Sequence, residues 1–298
     1  MMKYVWRVAL VLVMLLGMLF LAPEGPMDID SALAEVVEIP MNAKYGVKPL
    51  KSGYTENGYE DPSISVTIER GRIYDTNYVV ARVKLQNASQ IRTAMAQSYY
   101  SPSTDMGTTI ARRSNAVLAI NGDFFSSRNN EGYVARQGKV YRTRCDKQEY
   151  DILIIDENGD LHILEKPNNA AIEAFEGTPI NGFTFGPGLI VNGEVRRHEG
   201  NSFYAGDKAA QRMCLAQVGP LEYLCICSEG PEDPDSTGMT LDQFTDLVAS
   251  FEGIQNAYNL DGGSSTTMVF QNDKINSPDN PKRRPLCDII YFASAWME

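Results

Sequence analysis

Three stretches of the sequence end an apolar run in polar residues and glycine, a pattern that suits a site built at strand ends. The residues concerned are Asn121, Gly122 and Asp123 in AVLAINGDFF, Asp261, Gly262 and Gly263 in AYNLDGGSSTTMVF, and Gly186 in FTFGPGLIVNGEV. Rigid strands hold such side chains in place, and glycine lets a ligand come close to the backbone. Each stretch alone is compatible with a tight turn. Their joint occurrence predicts that they form one polar site.

The composition limits the partners of that site. The chain has 298 residues, of which 43% are hydrophobic and 22% are charged, as expected for a globular protein with a sizeable core. Its formal net charge of -11 argues against a nucleic-acid-binding protein and against tight binding to anionic membranes. The sequence contains no phosphate-binding P-loop and no dinucleotide fingerprint. A small anionic ligand held by a few local arginines is compatible with this charge.

The first 34 residues have the features of an export signal. Lys3 and Arg7 precede a continuous apolar run over residues 8–22, and SALAE (residues 31–35) offers a cleavage site between small residues. The apolar stretch also approaches the length of one membrane-spanning helix, so residues 1–34 are interpreted as a signal peptide or a retained membrane anchor. Either one places the rest of the chain outside the cytoplasm. Residues 35–60 are predicted to be a linker or extension, and residues 61–298 to be the functional domain.

The cysteines and histidines do not indicate a metal centre. The five cysteines are an odd number without metal-type spacing, and we interpret them as small buried hydrophobic residues. His162 and His198 lie far apart in the sequence and by themselves support no catalytic triad. The acidic segment DENGD (residues 156–160) lacks the remainder of a calcium-binding loop and is typical of a hairpin turn.

Strand signals dominate the part of the chain that must position the polar residues. YDILIIDENGDLHILE is predicted to be a hairpin, because two apolar runs flank Asn158 and Gly159. TLDQFTDLVASFEG is predicted to be a helix that begins with a capping box of Thr240 and Gln243, and TDMGTTIARRSN a shorter helix. Runs of strands with few helices favour an α+β fold over an alternating α/β fold.

An ordered set of motifs resembles the phosphodiester glycosidase family. The set comprises AINGDFF, FTFGPGLIVNGEV, AQRMCLAQVG, the helix after TGMTLDQF, and NLDGGSSTTMVF, and it extends from about residue 108 to the C-terminus. NGDFF and LDGGSST are its most specific elements. The resemblance implies a single α+β domain with a mixed central β-sheet and flanking helices. It also implies a hydrolase that acts on a sugar joined through its anomeric carbon to phosphate.

The resemblance assigns roles to the polar residues. Asp261 and Asp123 become the candidate catalytic carboxylates, because cleavage at the anomeric carbon passes through an oxocarbenium-like state that a carboxylate assists as nucleophile, base or electrostatic partner. Arg212, with Arg136 and Arg142 as further candidates, would bind the phosphate in bidentate fashion. The remaining candidates for substrate binding are Asn121, Gly122, Gly186, Gly262, Gly263, Ser264, Ser265 and Thr266. Among these, the glycine amides and the hydroxyls after them would form an anion-binding nest.

Structural roles for the same residues stay open at this point. Asp261 can cap the Gly-Gly turn, Asn121 can satisfy backbone groups at a strand end, and Arg212 can belong to a structural ion pair. The pattern requires no cofactor, although a divalent cation could bridge Asp123 and Asp261.

Two functions compete. The first is an exported hydrolase that cleaves a sugar-1-phosphodiester, with a carbohydrate or sugar phosphate as substrate and cell-envelope glycans or glycopolymers as natural targets. The second is a non-catalytic glycan-binding or envelope-assembly protein on the same fold. One departure from the family pattern keeps the second open, because Ser264 stands where members commonly have a third glycine. The strand RMCLAQVG also departs from the family pattern, and only its Arg212 is carried over from the family.

Overall fold

The computed structural model of the protein describes residues 35–126, 130–198, 204–277 and 283–298. Residues Val36–Met297 form one compact unit. The segment interpreted as a signal peptide or anchor, residues 1–34, lies outside the described residues. Of the helices that are described, none is both long and apolar enough to cross a membrane.

Most of the regular structure is β-strand. The strands are β1 (Glu35–Val36), β2 (Tyr54–Thr55), β3 (Gly58–Asp61), β4 (Ile64–Ile73), β5 (Thr76–Leu85), β6 (Ile91–Met95), β7 (Ala116–Asn121), β8 (Gly132–Arg136), β9 (Lys139–Arg144), β10 (Ile152–Asp156), β11 (Leu161–Leu164), β12 (Pro179–Thr184), β13 (Gly188–Val191), β14 (Glu194–Val195), β15 (Arg212–Gly219), β16 (Glu222–Ser228), β17 (Asn256–Leu260), β18 (Met268–Phe270), β19 (Asp273–Lys274), β20 (Asp288–Ala293) and β21 (Trp296–Met297). The α-helices of the described residues are α1 (Gly107–Arg113), α2 (Asn169–Glu173) and α3 (Leu241–Ala249).

Three sheets form the body of the fold. A nine-stranded sheet has the order β14-β13-β17-β15-β16-β5-β4-β3-β2. One five-stranded sheet has the order β19-β18-β7-β20-β6, and the other has the order β11-β10-β12-β8-β9. Neighbouring strands in these sheets pair antiparallel wherever their register is described.

The core lies between the inner faces of the three sheets. One hydrophobic cluster contains Leu215 of the nine-stranded sheet, Leu118 and Ile290 of one five-stranded sheet, and Leu153 and Phe183 of the other. The helices cover parts of the outer faces instead. α3 packs Phe244 and Val248 against the nine-stranded sheet, and α1 packs Ile110 against β7 and β20.

The predicted α+β fold with a mixed central sheet and flanking helices is therefore wrong. The protein is mostly β, with several antiparallel sheets that pack on one another and only three short helices in its described part. The physical reason is that each sheet buries one face against another sheet, so little apolar surface is left for helices to cover.

Several local predictions are confirmed. β10 and β11 form the predicted antiparallel hairpin. α3 begins after Thr240, whose side chain caps the Gln243 amide while the Gln243 side chain caps the Thr240 amide. The five cysteines are all buried, and none forms a disulfide.

Candidate active site

Asn121 joins the polar stretch at the end of β7 to the polar stretch that follows β17. Its side-chain Nδ2 donates hydrogen bonds to the carbonyl oxygens of Asp261 (2.8 Å) and Gly122 (3.1 Å), and its Oδ1 accepts one from the Thr267 amide (3.0 Å). The residue is only 1% exposed. The Asn121 side chain therefore holds the end of β7 against the loop after β17. Both of its polar atoms form hydrogen bonds with backbone groups.

The middle stretch, around Gly186, is tied to both of the others. The amide of Thr184 donates to Asp123 Oδ2 at 2.8 Å. The side-chain Nδ2 of Asn259 donates to the carbonyl oxygen of Gly186 at 2.7 Å. The three stretches that the sequence singled out thus meet in space, at the ends of strands that belong to three different sheets.

Asp123 belongs to a cluster that we call the buried ion triad, formed by Asp123, Arg136 and Asp288. Arg136 Nη2 lies 2.7 Å from Asp123 Oδ1 and 2.7 Å from Asp288 Oδ2, and its Nε lies 3.1 Å from the same Asp288 oxygen. The Phe183 ring lies 4.1 Å from the guanidinium carbon. The Asp123 side chain is 0% exposed. Both of its oxygens accept hydrogen bonds, so in this structure it is enclosed and presents no atom to a ligand.

Gly122 makes the triad possible. A Cβ at this position would lie 2.6 Å from Asp288 Oδ2, far closer than van der Waals contact allows. The carboxylate of Asp288 fills the space that any other side chain at position 122 would take. Gly122 is thus required by packing within the triad, which accounts for the glycine in AINGDFF.

The triad shifts the acid–base behaviour of its members. Burial raises the pKa of Asp123 to about 6, with Arg136 opposing the shift and Asp288 adding to it. Burial lowers the pKa of Arg136, but the carboxylates of Asp123 and Asp288 outweigh it, so that this pKa is raised overall. Arg136 therefore stays charged, and the titrating member near neutral pH is Asp123.

We expect Asp123→Asn to flatten the pH dependence of stability. Because the folded-state pKa lies above the unfolded value, the folded protein binds more protons, and the stability from this group is complete below the unfolded pKa and lost as the pH rises through about 6. The loss amounts to at most about 3 kcal/mol. Urea denaturation of wild type and variant between about pH 4 and about pH 7 measures it. Equal slopes in the two proteins would show that Asp123 is not the titrating group.

A cavity of about 290 Å³ lies at the end of β17, and we call it the candidate cavity. Its walls come from the loop before β15, the first residue of β15, the end of β17 and the Gly-rich turn that follows. The lining residues are Phe185, Tyr204, Ala205, Lys208, Ala210, Gln211, Arg212, Asn259, Leu260, Asp261, Gly262 and Gly263. Asp261 and Arg212 thus share one cavity, whereas Asp123, Arg136 and Arg142 do not line it.

Arg212 is held in the cavity wall by backbone groups. Its Nε donates to the Met239 carbonyl (3.2 Å), and its Nη2 donates to the carbonyls of Lys208 (2.6 Å) and Ala205 (3.3 Å). The residue is 7% exposed, and burial lowers its pKa to about 10. Within the described residues no carboxylate lies within 4 Å of this guanidinium to form an ion pair. A buried cation without an acidic partner favours an anionic ligand.

The Gly-rich turn after Asp261 is shaped by its contact with Gln211. A Cβ on Gly262 would lie 2.7 Å from the Gln211 carbonyl oxygen, and the Gly263 amide donates to that same oxygen at 2.9 Å. Gly263 has a φ of +59°, the left-handed region that glycine adopts at low cost. The Gly263 amide is therefore used within the protein. Ser264 is partly exposed, while Ser265 and Thr266 are buried.

Sequence reasoning missed two residues of this region. Asn259 is 3% exposed, and its Oδ1 accepts no hydrogen bond from the described residues although the side chain lines the cavity. Asn259 and Asp261 are two residues apart, and the period of a strand places such residues on one face. Asp288 could also have been recognised as a candidate site residue, since it is an acid at the start of an apolar strand.

No arrangement of three or more His, Cys, Asp or Glu side chains that could hold a metal ion occurs in the ranges that the structure describes. Asp123 Oδ1 and Oδ2 are occupied by Arg136 and Thr184. His162 is paired with Asp156 at 3.0 Å, and His198 contacts the Gly188 carbonyl at 2.9 Å. Neither histidine lines the candidate cavity.

Solved structures show the same fold at low sequence identity. The catalytic domain of zebrafish N-acetylglucosamine-1-phosphodiester alpha-N-acetylglucosaminidase, auto-inhibited by its pro-peptide, is 15% identical, with 87% of this chain and 98% of that chain covered and a TM-score of 0.62. A protein of Burkholderia pseudomallei described as exported is 13% identical, with 73% and 74% covered and a TM-score of 0.52. A hypothetical protein from Synechocystis is 18% identical, with 79% and 62% covered and a TM-score of 0.50.

Comparison with curated proteins gives no match. The family model for phosphodiester glycosidases matches residues 114–293, which is more than half of the chain and contains Asn121, Asp123, Arg212 and Asp261. The resemblance expected from the motifs is thereby confirmed. The chain belongs to the phosphodiester glycosidase family.

Proposed function

We propose that the protein hydrolyses a sugar-1-phosphodiester in the candidate cavity, by breaking the bond between the anomeric carbon of the sugar and the phosphate oxygen. The observation that carries the proposal is that Arg212, a buried cation without a described acidic partner, lines the same cavity as Asp261. A phosphodiester linked to an anomeric carbon needs both groups: a cation for its phosphate and a carboxylate near its anomeric carbon. Family membership supports hydrolase chemistry of this kind.

The proposed reaction assigns one role to each group. Arg212 binds the nonbridging phosphate oxygens and stabilises the charge that grows as the bond from anomeric carbon to oxygen breaks, with its electron pair going to the phosphate. Asp261 stabilises the oxocarbenium-like centre that is left. Water then adds to the anomeric carbon and loses one proton to the solvent, and the products are the free sugar and a phosphomonoester. The leaving phosphate is a weak base, so a strong general acid is not required.

The cavity dimensions and lining support a monosaccharide at this site. A volume of about 290 Å³ is at the lower limit of typical small-molecule pockets. Asn259 lines the cavity, and its buried Oδ1 accepts no hydrogen bond from the described residues, so a hydroxyl of the bound sugar would supply the missing donor. The name of the zebrafish protein specifies an N-acetylglucosamine-1-phosphodiester, and the same class of substrate is our proposal for this chain.

We also propose that the protein acts after export, on phosphodiester-linked glycans of the cell envelope. The charged and apolar start of the sequence supports export, as does the likeness to a Burkholderia protein described as exported. Among candidate substrates in that compartment, sugar phosphates of envelope polymers match the cation and carboxylate of the cavity.

We expect Arg212→Gln to lower kcat/KM for a sugar-1-phosphodiester by about 10²-fold, because a charge-assisted contact to phosphate is lost inside a water-poor site. The full chain is assayed on a panel of sugar-1-phosphodiesters, and released sugar and phosphomonoester are both quantified. Arg82→Gln is the matched control, since Arg82 forms an ion pair with Glu69 and both side chains are exposed. Equal activity of the two variants would remove Arg212 from the phosphate site. Saccharide binding without turnover on any panel member would favour the non-catalytic alternative.

A further inference from the structure

A second and larger concavity shares no lining residue with the candidate cavity. Its volume is about 640 Å³, more than twice that of the candidate cavity. It is lined by the segment Met41–Tyr45, by the end of β6 with the residues after it, and by Arg113 of α1. The hairpin of β8 and β9 completes the lining with Arg136 of the buried ion triad, Gln137, Lys139 and Tyr141. We call it the basic groove.

One wall of the basic groove is fixed by a fully buried arginine. Arg92, 1% exposed, donates from Nη2 to the carbonyl oxygens of Pro40 (3.2 Å) and Ala43 (2.9 Å). Asn115 Nδ2 donates to the Gly46 carbonyl at 2.9 Å just beyond this segment. The wall that presents Lys44 and Tyr45 is therefore anchored at both ends by polar side chains of the folded body.

The groove concentrates positive charge on an acidic protein. Lys44, Arg113 and Lys139 line it and are exposed. No ion pair with a described carboxylate holds any of the three, and no described acidic residue lines the groove. The whole chain carries a formal net charge of -11. Arg113 Nη2 donates to the carbonyl oxygens of Met95 (3.0 Å) and Ala96 (2.9 Å), which fix its position. Three cations without a described acidic partner in one concavity of such a protein give local charge complementarity to an anion.

Exposed tyrosines accompany these cations. Tyr45 and Tyr141 line the groove, and Tyr45 is 42% exposed. Tyr100 lies beside the groove, with its ring centre 5.9 Å from that of Tyr141, and is 76% exposed. Lys139 Nζ lies 4.9 Å from the ring centre of Tyr141 and 5.8 Å from that of Tyr100. A tyrosine ring offers an apolar face and a polar hydroxyl, the two features that a sugar ring also combines. The groove thus places saccharide-type and anion-type contacts side by side.

We propose that the basic groove binds an anionic saccharide chain, with sugar rings on Tyr100 and Tyr141 and negative groups at Lys44, Arg113 and Lys139. A nucleic acid fits less well, since three cations neutralise few of its phosphates while the net charge of -11 on the protein repels the rest. The groove is separate from the candidate cavity, because no residue lines both. Its function is to hold a polymeric ligand, and it extends the proposed function from a small phosphodiester to a glycan that bears anionic groups.

The test measures binding to the full chain carrying Asp261→Asn, so that turnover does not consume the ligand. The ligand is a tetramer of glucose units joined by phosphodiester bonds, and maltotetraose is the neutral comparison. We expect Lys139→Gln to weaken tetramer binding about fivefold, and Tyr100→Ala to weaken the binding of both ligands. Lys51→Gln, an exposed lysine outside the groove, is the matched control and should leave both affinities unchanged.

Three binding results would each overturn the proposal. They are equal effects of Lys139→Gln and Lys51→Gln, equal affinity for the tetramer and maltotetraose, and equal or tighter binding of an oligothymidylate of the same charge. The assay is independent of the proposed catalysis, because binding is read without turnover. In the wild-type background, Lys139→Gln should leave hydrolysis of a small sugar-1-phosphodiester unchanged. A loss of that hydrolysis without a loss of tetramer binding would also contradict a separate site.

Discussion

Replacing Asp261 with Asn is expected to lower kcat for a sugar-1-phosphodiester by about 10³-fold, because the variant keeps the shape of the side chain but loses the charge that stabilises the anomeric centre. The substitution keeps the hydrogen bond from Asn121, because the backbone carbonyl of residue 261 accepts it, and thermal unfolding measures any change in stability. Initial rates and thermal unfolding on the same preparation separate the two effects.

Asp273→Asn is the matched control for this experiment. Asp273 lies in β19, is exposed, and does not line the candidate cavity. The same chemical change there should leave kcat within the error of the assay. If Asp261→Asn retains wild-type kcat while remaining folded, the reacting carboxylate must be sought elsewhere, and the candidate cavity loses its assignment.

Replacing Arg136 with Met is expected to cost about 3–5 kcal/mol of unfolding free energy, the largest stability effect that we predict. The substitution leaves Asp123 and Asp288, whose side chains are 0% and 1% exposed, without the cation that faces both of them. It also removes the hydrogen bonds from Arg136 Nη1 to the carbonyls of Ala135 and Gly182. The cost should fall at acidic pH, because protonation of Asp123, whose pKa burial raises to about 6, relieves its repulsion with Asp288. Urea denaturation at about pH 5 and about pH 8 measures both quantities.

Arg82→Met serves as the comparison, because Arg82 and Glu69 form an ion pair with side chains 45% and 49% exposed. Its loss should cost no more than about 1 kcal/mol. Arg136→Lys keeps the charge but cannot bridge two carboxylates in the same way. Its cost in unfolding free energy should lie between the costs of Arg136→Met and Arg82→Met. Similar costs for Arg136→Met and Arg82→Met would contradict a structural role for the buried ion triad.

These two predictions separate two acids that sequence reasoning treated alike. Asp123 and Asp261 both follow apolar strands, and both were candidates for catalysis. We now propose different roles for them, since the Asp123 side chain is enclosed and hydrogen-bonded at both oxygens, whereas Asp261 lines the cavity that also holds Arg212. Asp123 becomes a positioning residue whose substitution acts on stability and on its pH dependence, and Asp261 becomes the catalytic carboxylate.

Local sequence signals predicted much of this arrangement. Glycine and polar residues at strand ends marked the three stretches that meet, and the capping box of Thr240 marked the start of α3. Asn259 could have been included from the two-residue period of a strand, which places it on the face of Asp261. Such signals depend only on neighbouring residues and therefore remain visible in a single sequence.

Long-range pairing was not predictable in the same way. Arg136 and Asp288 are 152 residues apart in the chain, and their contact depends on how β8 and β20 of different sheets meet. The prediction of the fold class was wrong for a related reason. Strand and helix segments were recognised locally, but whether a sheet buries its face against helices or against another sheet is decided by the whole topology.

Hydrolysis in ¹⁸O-labelled water tests the central claim most directly, with mass spectrometry of the released phosphomonoester. The proposed cleavage between the anomeric carbon and oxygen predicts that water adds to the sugar, so the phosphomonoester carries no label. Label in the phosphomonoester would show attack at phosphorus, and the candidate cavity would then hold a phosphodiesterase and not a glycosidase.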